Sequence, residues 1–159
     1  MKPNRQMTTR KQNGKNVEED CNMPVYTLGI ASQLSEIPAH SIRQYIDEGL
    51  IIPFKLESKR HLFSRNDIDR LKLIRSLIRN KGLNFSGVRA LMAMIPCWSI
   101  RECPEEDRSS CGAYTENFQP CWEASEKGRH CRNENCRDCE VYHALDIDTG
   151  IKTVLKSLL

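Results

Sequence analysis

Residues 25–49 read VYTLGIASQLSEIPAHSIRQYIDEG, and the spacing of the apolar side chains in this stretch decides the fold. Leu28, Ile30, Ala31 and Leu34 fall on one face of a helix. Ser35, Glu36 and Ile37 interrupt the pattern, and Pro38 stands where a new helix can begin, because proline already has the φ of a first helical turn. Ala39, Ile42, Tyr45 and Ile46 resume at intervals of three and four, so a second short helix runs to about Glu48 and Gly49 closes it. Two short amphipathic helices joined by a tight turn form a helix-turn-helix, whose second helix enters the DNA major groove with its outer face free to read bases. That outer face carries His40, Ser41, Arg43 and Gln44. Ile42, Tyr45 and Ile46 are spaced for packing instead.

Beyond Gly49, Leu50–Phe54 and Arg60–Phe63 are short extended segments separated by Lys55–Lys59, which predicts a two-stranded wing. Ser64 followed by Asp67 has the form of a capping box with Asp in place of Glu. Ile68, Leu71, Ile74 (or Leu73), Leu77 and Ile78 then give a helical stripe up to Lys81, where Gly82 stops it. Asn84 can cap a fourth helix with the face Val88, Leu91, Met92 and Ile95, and Pro96 ends it. Four helices and a wing suffice for one small core over residues 24–95. The cations Arg70, Lys72, Arg75, Arg79 and Lys81 on the third helix are expected on a solvated face.

Taken together, Tyr26-Thr27-Leu28-Gly29-Ile30-Ala31, Ser41-Ile42-Arg43-Gln44-Tyr45, Gly49-Leu50-Ile51 and Pro53 resemble the MerR-type winged helix-turn-helix. His61-Leu62-Phe63-Ser64 with Asp67-Ile68 looks like that family's wing and third-helix start, and Gly82–Val88 is similar to its heat-shock-repressor branch. The resemblance implies a homodimeric transcription regulator on a pseudo-palindromic promoter site in double-stranded DNA, with RNA polymerase a further candidate partner. It also implies that Arg43 and the wing residues Lys59, Arg60 and His61 contact phosphate or groove edge. The chain departs from the family at Gln44, where Tyr is common, at Ile46, where an acidic residue is common, and at Lys59-Arg60-His61, where Gly-Tyr-Arg is common.

Charge divides the chain. Its 159 residues carry a net +3, but residues 24–95 hold 11 Lys/Arg against 6 Asp/Glu, and residues 96–143 hold 6 against 10. The first block suits a polyanion and the second repels one. Seven of the eight cysteines lie in the acidic block, which marks it as a second module of different chemistry. Residues 1–23 are polar and without periodicity, so they are expected to form a disordered basic tail, with Cys21 a bystander. No apolar run approaches a membrane span, and the basic N-terminal residues precede no apolar segment, which predicts a cytoplasmic protein that does not enter membranes.

The relatives that the first domain resembles follow it with a long coiled-coil helix, but no heptads follow Ile95 here. An internal repeat takes their place: Pro96-Cys97-Trp98 recurs as Pro120-Cys121-Trp122, and Cys111-x-x-Tyr114 as Cys139-x-x-Tyr142, with Cys103 and Cys131 between the boxes and Cys136 extra. The pattern resembles cysteine-rich segments appended to various bacterial signalling proteins and carries no established activity with it. In a reducing compartment, clustered cysteines bind metal or sense redox state more often than they form disulfides. Cys97, Cys103, Cys111, Cys121, Cys131, Cys136 and Cys139 are therefore candidate ligands for zinc or an iron–sulfur cluster. The tightest group is Cys131-x4-Cys136-x2-Cys139, with a fourth ligand from Cys121, a cysteine of the first copy, His130 or His143. The tryptophans and tyrosines of the boxes are expected to pack as lids on these sites.

The expected architecture is mainly α: a winged helix-turn-helix over 24–95, a small irregular cysteine-rich module over 96–143, and a short amphipathic C-terminal helix within 144–159. The last rests on Ile151, Val154, Leu155, Leu158 and Leu159, and docking on the domain is its default role. Three functions compete. The leading one is a regulator that senses metal or redox state through its cysteines. Another is a DNA-binding or interaction adapter with a purely structural zinc site. A redox enzyme is disfavoured, since there is no Cys-x-x-Cys on a βαβ pattern and no nucleophile with a paired base.

Overall fold

The structure, a computed structural model, describes residues 20–116 and 118–159. The expected tail lies outside the described residues up to position 19. Residues 20–23 are tied to the fold: the Asn66 backbone N–H donates to the Cys21 carbonyl at 3.1 Å, and its side-chain amide donates to Asn22 at 2.7 Å.

Four helices and a small sheet make up the N-terminal half. Strand β1 (Tyr26–Thr27) leads into α1 (Leu28–Ser35) and α2 (Ala39–Asp47), followed by β2 (Phe54–Lys55), β3 (His61–Phe63), α3 (Arg65–Arg79) and α4 (Phe85–Ala93). The sheet is antiparallel in the order β1-β3-β2, with Tyr26 opposite Phe63 and Phe54 opposite Leu62. The predicted wing is thus the β2–β3 pair with β1 added as a third strand. Its first strand is shorter than expected because Leu50 and Ile51 turn into the core, where they are 0% and 1% exposed.

Local chemistry sets the ends of these elements. Ser64 and Asp67 form a reciprocal capping box at the start of α3, and Asn84 accepts the Gly87 N–H at 2.8 Å to start α4. Glu36 adopts a left-handed conformation, φ 58°, in the turn between α1 and α2. Gly49 does the same after α2, at φ 67°. One expected face changes. In α1, Ile30 and Leu34 are exposed, and Ala31 and Ser35 are the buried positions. The Ser35 hydroxyl donates to the Ala31 carbonyl at 2.6 Å, so a polar side chain sits in the core without an unpaired donor.

The second half is built of short turns: α5 (Cys97–Ile100), α6 (Glu105–Arg108), α7 (Gly112–Thr115), 3-10 turns at Cys121–Glu123 and Cys136–Asp138, and a terminal α8 (Ile151–Ser157). These segments close on the first half. Trp122, Val141, Tyr142, Leu145 and Val154 belong to the same apolar cluster as Ala31, Ile42, Phe63, Ile68, Leu71 and Met92. Helix α8 docks through Val154 and Ile151, while Leu155, Leu158 and Leu159 face outward.

Candidate DNA interface and cysteine cavity

Helix α2 buries Ile42 and Tyr45 and leaves His40, Arg43 and Gln44 exposed, with Ser41 half-buried. The proposed reading face is therefore presented to solvent on a helix held from behind. The β2–β3 turn places Lys59 and Arg60 in solvent and His61 at half burial. The turn is closed by the Lys59 N–H donating to the Leu56 carbonyl and the Leu56 N–H to the Arg60 carbonyl, each at 2.9 Å. Lys59 itself lies in the left-handed region, φ 62°, as expected of a type I turn followed by a left-handed residue in a hairpin loop.

All eight cysteines are free thiols. Five of them, Cys97, Cys121, Cys131, Cys136 and Cys139, line one cavity of about 40 Å³, and Trp122, Val141 and Tyr142 complete its apolar wall. This gathers the tightest spaced group with Cys121 and with one cysteine of the first copy. Cys103 and Cys111 stand outside that wall: the Cys103 thiol faces the Pro104 carbonyl, and the buried Cys111 sulfur accepts the Gly128 N–H at 3.2 Å. His130 is exposed, and the His143 Nε2 is 2.7 Å from the Arg137 carbonyl. Among the described residues no three His, Cys, Asp or Glu side chains converge closely enough to hold a single metal ion.

The cavity wall is charged as well as soft. The Lys127 ammonium donates to the Cys136 sulfur at 3.0 Å and to the Trp122 carbonyl at 3.2 Å. Arg101 lines the wall, and its Nε is buried without a hydrogen-bond partner among the described residues; Glu134 is the one carboxylate among the described lining residues. Hydrogen bonding from the Cys121 thiol lowers the pKa of Cys97 and raises that of Cys121, so the pair favours one thiolate on Cys97.

The internal repeat is visible as two edge-on aromatic pairs. Trp98 meets Tyr114 at 5.2 Å and Trp122 meets Tyr142 at 5.1 Å, each Trp with the Tyr of its own copy. The two copies differ in what lies behind them. The second pair is buried against the helix-turn-helix half, where the Trp122 indole donates to the Gly49 carbonyl at 2.8 Å and the Tyr142 hydroxyl accepts the Ile52 N–H at 2.8 Å. Between them lies Arg70, whose guanidinium sits 3.8 Å from the Tyr142 ring and 4.8 Å from the Trp122 ring. It donates to the carbonyls of Leu50 and Tyr142 at 2.8 and 2.6 Å. Burial lowers the Arg70 pKa and raises that of Tyr142, and their contact opposes both effects.

Residues 26–95 match the family described as MerR HTH family regulatory protein. They form a MerR-type helix-turn-helix domain. The HTH-type transcriptional regulator GlnR of Bacillus anthracis is 34% identical over 77 residues, covering 48% of this chain and 59% of that protein; GlnR of Bacillus cereus matches equally. The "Putative heat shock protein HspR" of Streptomyces coelicolor is 30% identical over 88 residues, covering 55% of this chain and 57% of that protein. The chain thus spans less than two thirds of the length of the curated relatives it matches.

Two residues central to the attachment of the MerR-type domain escaped the sequence. Arg70 was expected on a solvated face but is 6% exposed. Its position three residues from Asp67 and four from Ile74 on α3 is the signal that could have placed it inside. Arg137, also 6% exposed, pairs with Asp67 at 2.7 Å and donates to the Ile52 carbonyl at 3.1 Å. No pattern in the sequence marks it, because a buried arginine among cysteines follows no fixed spacing. Of the other cations expected on that face, Arg79 and Lys81, the latter beyond the end of α3, are exposed and Lys72 is half-buried, whereas Arg75 donates to the Glu36 carbonyl at 2.7 Å, bracing the turn between α1 and α2.

Proposed function

We propose that the protein is a DNA-binding transcription regulator of MerR type whose affinity for its promoter site depends on metal held by the cysteine module. The observation that carries this is the double role of Trp122 and Tyr142. Both line the cysteine cavity, and both hydrogen-bond the segment Gly49–Ile52 that joins α2 to the wing. A change at the cavity that moves either ring changes the angle between the two elements that would touch DNA. The similarity to the transcriptional regulator GlnR supports a regulatory role, and the exposed basic face of α2 and the wing supports contact with phosphate.

In this reading two copies bind a pseudo-palindromic site in double-stranded DNA in the cytoplasm, where RNA polymerase is a further partner. His40, Ser41 and Gln44 face base edges, Arg43 faces phosphate or a base edge, and Lys59, Arg60 and His61 lie along the flanking backbone. Pro96 is followed by the four-residue α5 and not by a long helix, so the described residues offer the copies no long coiled coil for pairing. Among the described residues no helix is long and apolar enough to cross a membrane.

Binding to a duplex from the gene's own upstream region, measured by fluorescence anisotropy across a salt series, tests the DNA half. Arg43→Ala is expected to weaken binding and to reduce the slope of log affinity against log salt by about 1. Unchanged affinity and slope would refute the proposed contact.

A further inference from the structure

We infer that Cys97, Cys121, Cys136 and Cys139 together hold an iron–sulfur cluster, with Arg101 and Lys127 offsetting its negative charge. This deepens the proposed metal dependence by naming the ligands and the kind of centre.

The topology brings these four thiols together from far apart in the chain. Cys97 and Cys121 occupy equivalent places in the two Pro-Cys-Trp boxes, each opening a short helical turn after its proline. Cys136 opens the second 3-10 turn and Cys139 follows it. Cys97, Cys121, Cys136 and Cys139 all line one cavity, so the four border one space. Cys131 reaches the same cavity but is less enclosed than Cys97 and Cys121.

How many of the sulfurs converge on one point decides what they can bind. A lone zinc ion draws four thiolates to about 2.3 Å from itself, hence roughly 3.8 Å from one another. Here the thiols ring a cavity of about 40 Å³ and no three converge at single-ion distance among the described residues. A cluster does not need three sulfurs to converge, because its own iron and sulfide atoms fill the middle and each iron takes its thiolate at the periphery.

Charge agrees with this. Four thiolates around a cluster leave a net negative centre, and ligation releases the four thiol protons to solvent. The wall answers with two cations against the single carboxylate of Glu134. Lys127 already donates to a ligand sulfur, and the buried Arg101 Nε has no acceptor among the described residues. Buried unsatisfied donors are rare, and a cluster sulfur on this wall is an acceptor for it. Apolar Trp122, Val141 and Tyr142 limit water at the site.

The test uses the full-length protein, produced and purified without oxygen, with iron, acid-labile sulfide and zinc measured per chain and the visible spectrum recorded before and after dithionite. Iron and sulfide in equal amounts, with broad visible absorption that bleaches on reduction, are expected. Cys136→Ser is expected to lose at least nine tenths of the iron, and Cys103→Ser to keep it, with circular dichroism of each variant reporting the fold. Arg101→Gln should keep the fold and lose the chromophore several-fold faster in air. One zinc per chain without sulfide, a folded wild type without metal, or equal iron loss from Cys103→Ser and Cys136→Ser overturns the assignment. If Cys136→Ser fails to fold, the metal and sulfide content of the wild type still decides. No DNA enters these measurements, so the cluster and the DNA-binding role can fail separately.

Discussion

Lys59 occupies a left-handed position, φ 62°, at the tip of the wing. A side chain there costs about 1–2 kcal/mol relative to the usual backbone region, whereas glycine accepts the conformation without strain but loses more freedom on folding. The family pattern has glycine at this point, and this chain has a cation where DNA backbone would pass. Lys59→Gly is therefore expected to raise stability by about 0.5–1 kcal/mol in chemical denaturation while lowering DNA affinity; a gain in both would remove Lys59 from the interface. A different balance holds at Arg137. Its guanidinium is the cationic partner of the buried Asp67 carboxylate, which also accepts the Ser64 N–H at 2.7 Å. Arg137→Ala leaves that charge in the core and is expected to cost about 3–5 kcal/mol. A loss under 1 kcal/mol in urea unfolding would show that the capping box alone satisfies Asp67. At this scale, residues with a local signature were legible: Ser64, Asp67 and Asn84 act through neighbours three positions away, and Gly49 and Gly82 through their own left-handed backbone. Arg70 and Arg137 were not, because their partners lie 72 and 70 residues distant.

The elements α1 to α4 follow from periodicity and caps, and strand β1 does not. Two residues, Tyr26 and Thr27, are too few for an alternation to show, and their strand exists only because β3 offers a free edge. In the same way the cysteine segment, though internally repeated, held no helix or strand periodicity, since its elements are turns of three or four residues. The element that matters most for function is the link Gly49–Ile52. Trp122→Phe removes the indole N–H that reaches Gly49 while keeping most of the ring's packing, so it is expected to cost about 1 kcal/mol. It should leave metal content unchanged and bring the DNA affinities of metal-loaded and metal-stripped protein closer together. An unaltered affinity ratio would mean that the signal, if any, bypasses Trp122.

At the scale of the molecule, charge and cysteine content divide the chain at about residue 96, yet packing does not. The apolar cluster runs across that point, and Arg70 bridges both sides by hydrogen bonds to Leu50 and Tyr142. A fragment ending at Ile95 would open Arg70 and the faces of Leu50 and Met92 to water, and it is expected to melt broadly and well below the full chain in calorimetry. A sharp transition at the same temperature would show the MerR-type domain to be independent. The division into blocks was legible because composition is a local property; the shared core was not, because it is made by a few long-range aromatic and guanidinium contacts. The most direct test of the central claim compares the affinity of oxygen-free, metal-loaded protein and of the same sample after chelation for one upstream duplex at fixed salt. A change of at least fivefold, about 1 kcal/mol of coupling, is predicted, and equal affinities in two folded samples would contradict a sensor wired through Trp122 and Tyr142.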